Sequence, residues 1–270
     1  MEQEKEMSFL DHLEELRWHV IKATASVIIA ASLAFLAKGF LFDVLIFGPT
    51  KANFFTYELL CNASKLMKFD SFCNIKFDFE VQSRTMAGQF SAHIWTSITF
   101  GFILAFPYVI YQFWKFISPG LDRKEKNNSR GFIFISSILF FIGVLFGYYV
   151  VCPLSINFLG TYSVAELVHN DFDLNSYIGL IRASTLASGL IFELPIIIYF
   201  LTKIGLVTPK FLKKNRKYAL VIVLIFAAII TPPDIASQVI VAIPVLILYQ
   251  VSILISRIVL RNQKIKEING

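Results

Sequence analysis

The acidic side chains of this sequence occur in two kinds of surroundings. Glu15 and Glu125 lie in charged segments, whereas Glu193 lies inside a long apolar run. A carboxylate can hold a guanidinium through two parallel hydrogen bonds, and a charged side chain inside a membrane costs about 2.5–3.5 kcal/mol on insertion scales. Spacing alone favours solvated surface charge for Glu15 and Glu125, and a polar contact with another helix for Glu193.

Residue patterns typical of catalysis are not visible in the sequence. There are three cysteines without a Cys-x-x-Cys pair, and four histidines that are scattered along the chain. A Gly-rich phosphate-binding loop and a serine nucleophile elbow are also missing. We therefore predict neither an enzyme, nor a metal centre, nor a bound cofactor.

The composition is that of a membrane protein. Hydrophobic residues make up 56% of the 270 residues and charged residues only 16%, whereas a soluble domain is about a quarter charged. The formal net charge of +6 can indicate nucleic-acid binding or basic loops at a membrane surface. The positions of the charges along the chain decide between these two interpretations.

Apolar runs predict an all-α integral membrane protein, a single domain over residues 1–270, with six transmembrane helices of which the fifth and sixth are short. An amphipathic helix from Ser8 to Ile21 leads into the first span. A polar outer segment at 48–90 separates the first two spans. The spans are predicted at about residues 20–37, 95–114, 131–151, 177–201, 218–231 and 235–255.

Basic residues fix the orientation of these spans. Lys and Arg concentrate at 115–130, 203–217 and 257–266, whereas the segment 152–176 has none. Because cytoplasmic loops are enriched in Lys and Arg, both termini are expected in the cytoplasm. The same distribution explains the net positive charge without nucleic acid.

The predicted fifth span is too short for a bilayer. Its 14 residues, from Tyr218 to Thr231, make a helix of about 21 Å, against a hydrocarbon core of about 30 Å. Either the turn that Asp234 and Gln238 flank lies below the outer surface, or the bilayer thins around it. The alternative is a short hairpin tilted inside the bundle.

Five motifs follow one another in order along the chain, from the N-terminal helix to the last span. They are His12-Leu13-Glu14-Glu15-Leu16-Arg17, the run Pro107 to Phe116 with Tyr111-Gln112 and Trp114, Pro119-Gly120-Leu121 with Glu125, Phe192-Glu193-Leu194-Pro195, and Thr231-Pro232-Pro233-Asp234-Ile235-Ala236-Ser237-Gln238. With six spans and cytoplasmic termini, this set resembles the TatC family, the signal-peptide receptor of the twin-arginine protein translocase. One departure is that Trp18 and His19 follow Arg17, where the family often has further basic residues.

The resemblance implies a function in protein transport. A core subunit of the twin-arginine translocation system binds the twin-arginine signal peptides of folded cargo at the cytoplasmic face, and the proton motive force drives transport. The implied partners are single-span TatA/TatB-type subunits, the lipid bilayer and further copies of the chain, in the bacterial inner membrane. Signal-peptide binding is expected at Glu15, Arg17, Glu125 and Phe116.

The resemblance also assigns polar residues to contacts inside the membrane, with partner helices or within the chain: Glu193, Gln112, Asp234 and Gln238. Thr185, Gly189 and Glu193 share one helix face, which the resemblance implies receives a partner helix. The alternative for Glu193 is a hydrogen bond between the chain's own spans, for example to Gln112. The Gly143–Gly147 pair predicts internal helix packing.

Further predictions concern prolines and cysteines. Cys61 and Cys73 both fall in the outer segment, where an oxidising compartment would allow a disulfide; two free thiols are an equally compatible alternative. Structural roles are assigned to Pro49, Pro107, Pro195, Pro232 and Pro233.

The alternative function is that of a secondary solute or ion transporter. It would explain the spans and the intramembrane Glu193, but not the N-terminal amphipathic helix or the ordered set of motifs. The internal repeats common in such transporters are not visible in the sequence.

Overall fold

The computed structural model describes residues 9–66, 79–117, 129–165, 168, 170–231 and 235–269. These residues are almost entirely helical, as the sequence predicts. The strands among them are β1 (Val81–Gln82) and β2 (Phe172–Asp173), which pair in parallel. The α-helices are α1 (Phe9–Leu36), α2 (Phe55–Leu66), α3 (Gly88–Ile117), α4 (Ser129–Phe146), α5 (Cys152–Thr161), α6 (Leu174–Phe192), α7 (Leu194–Lys203), α8 (Pro209–Lys214), α9 (Arg216–Ile230) and α10 (Ile235–Asn269).

Five helical stretches of the described chain are long and apolar enough to cross a membrane. They are Leu13–Leu36, Gly88–Ile117, Gly131–Thr161, Leu174–Lys203 and Ser237–Gln263. The stretch Gly131–Thr161 joins α4 and α5 through a π-helical segment, Gly147–Val151. The predicted fifth span corresponds to α9, whose 15 residues make about 22 Å of helix.

The structure corrects two predictions, one about the first helix and one about the last. The predicted amphipathic helix and the first span form one continuous helix, α1, because no Gly or Pro interrupts the sequence between Phe9 and Leu36. The sixth span is not short: α10 runs for 35 residues. The sequence was misleading there because the basic residues that end the apolar run are good helix formers and do not end the helix.

The chain divides into two compact units, Met1–Lys38 with His93–Ile138 and Gly39–Ala92 with Leu139–Gly270. In the first unit, α1 packs closely on α3 at Gly101, where an added Cβ would lie 2.5 Å from the backbone nitrogen of Ala31. Near the end of α1, the ring of His93 stacks on Phe35 with 3.9 Å between ring centroids.

In the second unit, the C-terminal half of α4 and the π-helical segment that follows it pack on α6 at glycines. An added Cβ would lie 2.6 Å from the carbonyl oxygen of Ser188 at Gly143, and 2.5 Å from that of Ser184 at Gly147. Only glycine allows such an approach between helix backbones. The predicted internal packing of this glycine pair is confirmed.

Tyrosine hydroxyls hold the segment before α2 in place. Tyr177 donates to the carbonyl oxygen of Ile46 at 2.8 Å, and Tyr148 donates to that of Leu45 at 2.8 Å. The hydroxyl of the buried Tyr57 lies 3.0 Å from the carbonyl oxygen of Pro49 and 3.1 Å from that of Pro153. Burial raises the pKa of Tyr57, so the hydroxyl keeps its proton and remains a donor.

Replacing Tyr57 by Phe is expected to lower the free energy of unfolding by about 1–3 kcal/mol, because two buried carbonyl groups lose their shared donor. The measurement is the thermal unfolding midpoint in detergent. Tyr218→Phe is the matched control, since Tyr218 is exposed. Equal midpoints for the two variants would contradict the assigned role of the Tyr57 hydroxyl.

Candidate functional site

Glu15 lies on the first turns of α1 with a half-buried side chain, 35% exposed. Its Oε1 atom is 3.9 Å from Nε2 of His19, one turn further along the same helix. Its Oε2 atom is buried and has no hydrogen-bond partner within the described ranges. An unpartnered buried carboxylate oxygen is costly, so this atom is suited to a donor supplied from outside.

His19 connects α1 to α3. Its Nδ1 atom is 2.7 Å from Oε1 of Gln112, a side chain that is only 4% exposed. Gln112 lies on the second-last turn of α3, so this contact ties the ends of two helices together within the first unit. The polar partner found for Gln112 is therefore His19.

The other residues predicted for signal-peptide binding differ in their surroundings. Arg17 is exposed on α1, and Phe116 is half-buried at the end of α3. Glu125 lies outside the described residues, so its predicted pairing with Glu15 stays a prediction. The structure thus brings Glu15, His19 and Gln112 together, of which the sequence singled out the first and the third for separate roles.

Glu193 lies at the break between α6 and α7 and is only 6% exposed. The break has a sequence cause, because Pro195 lacks an N–H and its ring would clash with the carbonyl of Ile191 in a continuous helix. The chain restarts at once, with the carbonyl of Glu193 accepting from the N–H groups of Ile196 and Ile197 at 2.9 and 3.0 Å. A carboxyl group is therefore held at a helix break inside an apolar stretch.

The small-residue face of α6 faces the chain's own helix. An added Cβ at Gly189 would lie 2.8 Å from the ring of Phe140, and the Cα of Thr185 faces Gly147. The prediction that Thr185 and Gly189 receive a partner helix is therefore wrong. Small residues on two neighbouring helices complement each other, and here the second helix is α4 with the segment that follows it.

An apolar groove of about 270 Å³ flanks the Glu193 break within the second unit. Its walls come from α6, α7, α9 and α10, and the residues on both sides of Glu193 contribute to it. The lining residues are Leu190, Ile191, Leu194, Ile197, Ile222, Val223, Phe226, Ala227, Val241 and Val245.

Gln238 makes a contact within the chain. Its Nε2 atom donates to the carbonyl oxygen of Leu224 at 3.2 Å, which joins α10 to α9. Asp234, Pro232 and Pro233 lie outside the described residues. The predicted geometry of the turn that follows Thr231 therefore stays a prediction.

The remaining predicted residues are placed as follows. Pro49 is buried in a 3₁₀ turn, Pro107 lies inside α3, and Pro195 is buried at the start of α7. Cys152 is a buried free thiol. Cys73 lies outside the described residues, so its bridge to Cys61 stays a prediction.

Sequence reasoning missed two polar residues. His19 was noted as a departure from the family motif, although its spacing of four residues from Glu15 already predicts a contact on one helix face. Arg182 was overlooked within the fourth apolar run; its Nε atom is buried and has no hydrogen-bond partner in the described part of the chain. An arginine inside an apolar run was the signal that should have identified it.

The chain matches one known protein family over most of its length. The family model described as "Sec-independent protein translocase protein (TatC)" matches residues 11–244 of the chain. The chain belongs to the TatC family. It is thus a multi-pass membrane subunit of the twin-arginine, Sec-independent protein translocase.

Individual TatC proteins match over almost their full length. The TatC protein of Blattabacterium sp. subsp. Periplaneta americana is 47% identical over 259 residues, which cover 95% of this chain and 97% of that protein. The TatCy protein of Bacillus subtilis is 35% identical over 257 residues, which cover 95% of this chain and 91% of that protein. A crystal structure of the twin-arginine translocase receptor TatC in DDM has a TM-score of 0.70 at 32% identity, and covers 91% of this chain and 99% of that chain.

Proposed function

We propose that this TatC-family subunit is the receptor for twin-arginine signal peptides, and that Glu15 and Glu125 each hold one guanidinium of the signal. The observation that carries the proposal is the Glu15 carboxylate, half-buried at the beginning of α1, with Oε2 enclosed and lacking a donor within the described residues. A guanidinium supplies two parallel N–H groups to such an acceptor. The crystal structures that this chain resembles are described as those of a translocase receptor.

The proposed topology brings this site to the side where cargo is made. Lys and Arg at 115–130, 203–217 and 257–266 favour cytoplasmic loops and termini in the bacterial inner membrane. With this orientation, α9 is the fifth of six spans and is shorter than the bilayer core, and the beginning of α1 lies on the cytoplasmic side. Transport uses the proton motive force, as the family resemblance implies.

Binding of a twin-arginine peptide to the purified protein in nanodiscs tests the proposal. The comparison peptide has both arginines replaced by lysine, which keeps the charge but loses the planar fork. The twin-arginine peptide is expected to bind at least about tenfold more tightly at equal salt. Equal affinities for the two peptides would reject a receptor site built on forked carboxylates.

The second part of the proposal concerns the single-span partners of the translocase and places them at the groove beside Glu193. Its walls are apolar side chains of four helices, and a carboxyl group is held at the helix break between two of its lining segments. A partner helix would fill the apolar groove next to the helix break at which Glu193 lies. The face with Thr185 and Gly189 packs on the chain's own helix, and the groove is therefore proposed as the contact site instead.

Glu193→Ala is expected to leave the protein inserted in the membrane but to reduce co-purification of TatA/TatB-type subunits. Glu193→Gln should reduce it less, since a neutral group that forms hydrogen bonds remains. The measurement is the amount of partner recovered per mole of affinity-purified protein. Full recovery with the Ala variant would contradict the proposed partner contact.

A further inference from the structure

Three polar groups form a chain between α1 and α3: the carboxylate of Glu15, the imidazole of His19 and the amide of Gln112. The separations are 3.9 Å from Glu15 Oε1 to His19 Nε2 and 2.7 Å from His19 Nδ1 to Gln112 Oε1. Burial increases from the first of these three groups to the last: Glu15 is 35% exposed, His19 13% and Gln112 4%. The buried end is fixed by packing, and the most exposed end is the carboxylate.

The amide of Gln112 fixes the imidazole in the orientation that faces Glu15. With its oxygen towards the ring, it accepts from Nδ1–H; with the amide turned, its NH₂ group donates to Nδ1. In either arrangement Gln112 contacts the Nδ1 edge of the ring, and the Nε2 edge therefore faces Glu15. The ring orientation is thus independent of the tautomer.

His19 lies beside the Glu15 carboxylate but does not form a hydrogen bond with it. A separation of 3.9 Å is beyond hydrogen-bonding range, so Oε1 keeps lone pairs for another donor and Oε2 has no partner among the described residues. A glutamate on a helix surface samples several rotamers, and fixing them in advance reduces the cost of binding. A ring beside one oxygen restricts the plane in which the carboxylate lies.

We propose that His19, held by Gln112, is a positioning residue that sets the plane of the Glu15 carboxylate and thereby selects guanidinium over ammonium. The plane matters for a guanidinium, because two parallel hydrogen bonds require both carboxylate oxygens in line with the fork. An ammonium group is a point charge with rotatable donors and does not depend on that plane. This inference rests on the proposed role of Glu15 in signal-peptide binding.

The competing explanation is that His19 and Gln112 only tie α1 to α3. Loss of such a tie would lower the stability of the protein and weaken both peptides alike. Loss of a positioning residue would instead reduce the ratio of twin-arginine to twin-lysine affinity. The selectivity ratio therefore separates the two roles.

Two variants remove the link at different points. His19→Asn keeps a donor near the position of Nδ1 for Gln112 but has no group that reaches Glu15, and Gln112→Met removes the partner of the ring while keeping a similar shape. Thr24→Asn, at an exposed and uncharged position of α1, is the matched control. His19→Gln places a polar group near the position of Nε2 again and should recover part of the selectivity.

Peptide affinities in nanodiscs at fixed salt and pH give the result. His19→Asn and Gln112→Met are expected to weaken the twin-arginine peptide about three- to tenfold, with the twin-lysine peptide changed less than about twofold. Adding His19→Asn to Glu15→Gln should cause no further loss, because a residue that acts through Glu15 has nothing left to position.

Four outcomes overturn the inference. An unchanged selectivity ratio, with both peptides weakened, would leave His19 as a structural tie alone. Independent, additive losses for His19→Asn and Glu15→Gln would show that His19 does not act through Glu15. If the Glu15→Gln variant binds the twin-arginine peptide as tightly as the parent, both the proposed receptor site and this inference fail. If Glu15→Gln weakens binding strongly but the His19 variants do not, only this inference fails.

Discussion

Replacing Glu15 by Gln is expected to weaken binding of a twin-arginine signal peptide by about 10- to 150-fold. Charge-assisted hydrogen bonds contribute about 1.5–3 kcal/mol, and each 1.4 kcal/mol is a factor of ten in affinity. Gln keeps the shape of the side chain but has one acceptor oxygen and no charge. Glu15→Lys should bind most weakly, because it repels the peptide.

Glu125→Gln is expected to weaken binding by a similar factor, since the second guanidinium needs its own forked acceptor. Both Gln variants should bind the twin-lysine peptide about as weakly as the parent does, because the selective fork contact is already lost. The measurement is peptide affinity in detergent or nanodiscs at fixed salt.

Glu14→Gln is the matched control for the Glu15 prediction. Glu14 is adjacent in the sequence, carries the same charge and is exposed on α1, whereas Glu15 is half-buried. Its loss should change affinity by less than about twofold, as for a screened surface charge. If Glu15→Gln and Glu14→Gln behave alike, general surface charge and not a built site attracts the peptide.

Replacing Gly147 by Ala is expected to destabilise the second unit by about 1–3 kcal/mol, and by Leu considerably more. The added Cβ would lie 2.5 Å from the carbonyl oxygen of Ser184 and 2.8 Å from the Cα of Thr185. Both atoms belong to the backbone of α6, so the clash cannot be relieved by a side-chain rotation. The two helices would have to separate along their contact.

Gly179→Ala is the control for this prediction, because Gly179 also lies in a helix, α6, but an added Cβ there would have no atom of the described residues within 4 Å. Its substitution should leave stability unchanged or raise it by up to about 1 kcal/mol through helix propensity. Thermal unfolding midpoints in detergent compare the two variants. A Gly147→Ala protein that unfolds at the temperature of the parent would show that the close approach is not needed.

The spans could be predicted because apolar length is a property of the sequence itself. Each of the five long stretches overlaps a predicted run, but most of their ends differ from the predicted ones, since a membrane boundary is not a helix boundary. The break at Glu193 was also accessible in principle, because Pro195 disfavours a continuous helix. Local rules of this kind act over a few residues and can be read directly.

Pairing between helices was much harder to predict. Gly143 and Gly147 were correctly assigned to internal packing, but the complementary residues Thr185 and Gly189 were assigned to an external partner. Spacing shows that a face is small, not which helix it meets. The same limit applies to His19 and Gln112, which lie 93 residues apart in sequence and come together only through the packing of α1 on α3.

The last helix, α10, is longer than the hydrocarbon core of a bilayer is thick. Its 35 residues make about 52 Å of helix, against a hydrocarbon core of about 30 Å. Even a tilt of about 40°, the upper end of the usual range, leaves about 40 Å along the bilayer normal. At least one end of α10 is therefore expected to extend beyond the lipid tails as helix, and a spectroscopic label near Arg261 would measure the distance of the basic end from the membrane plane.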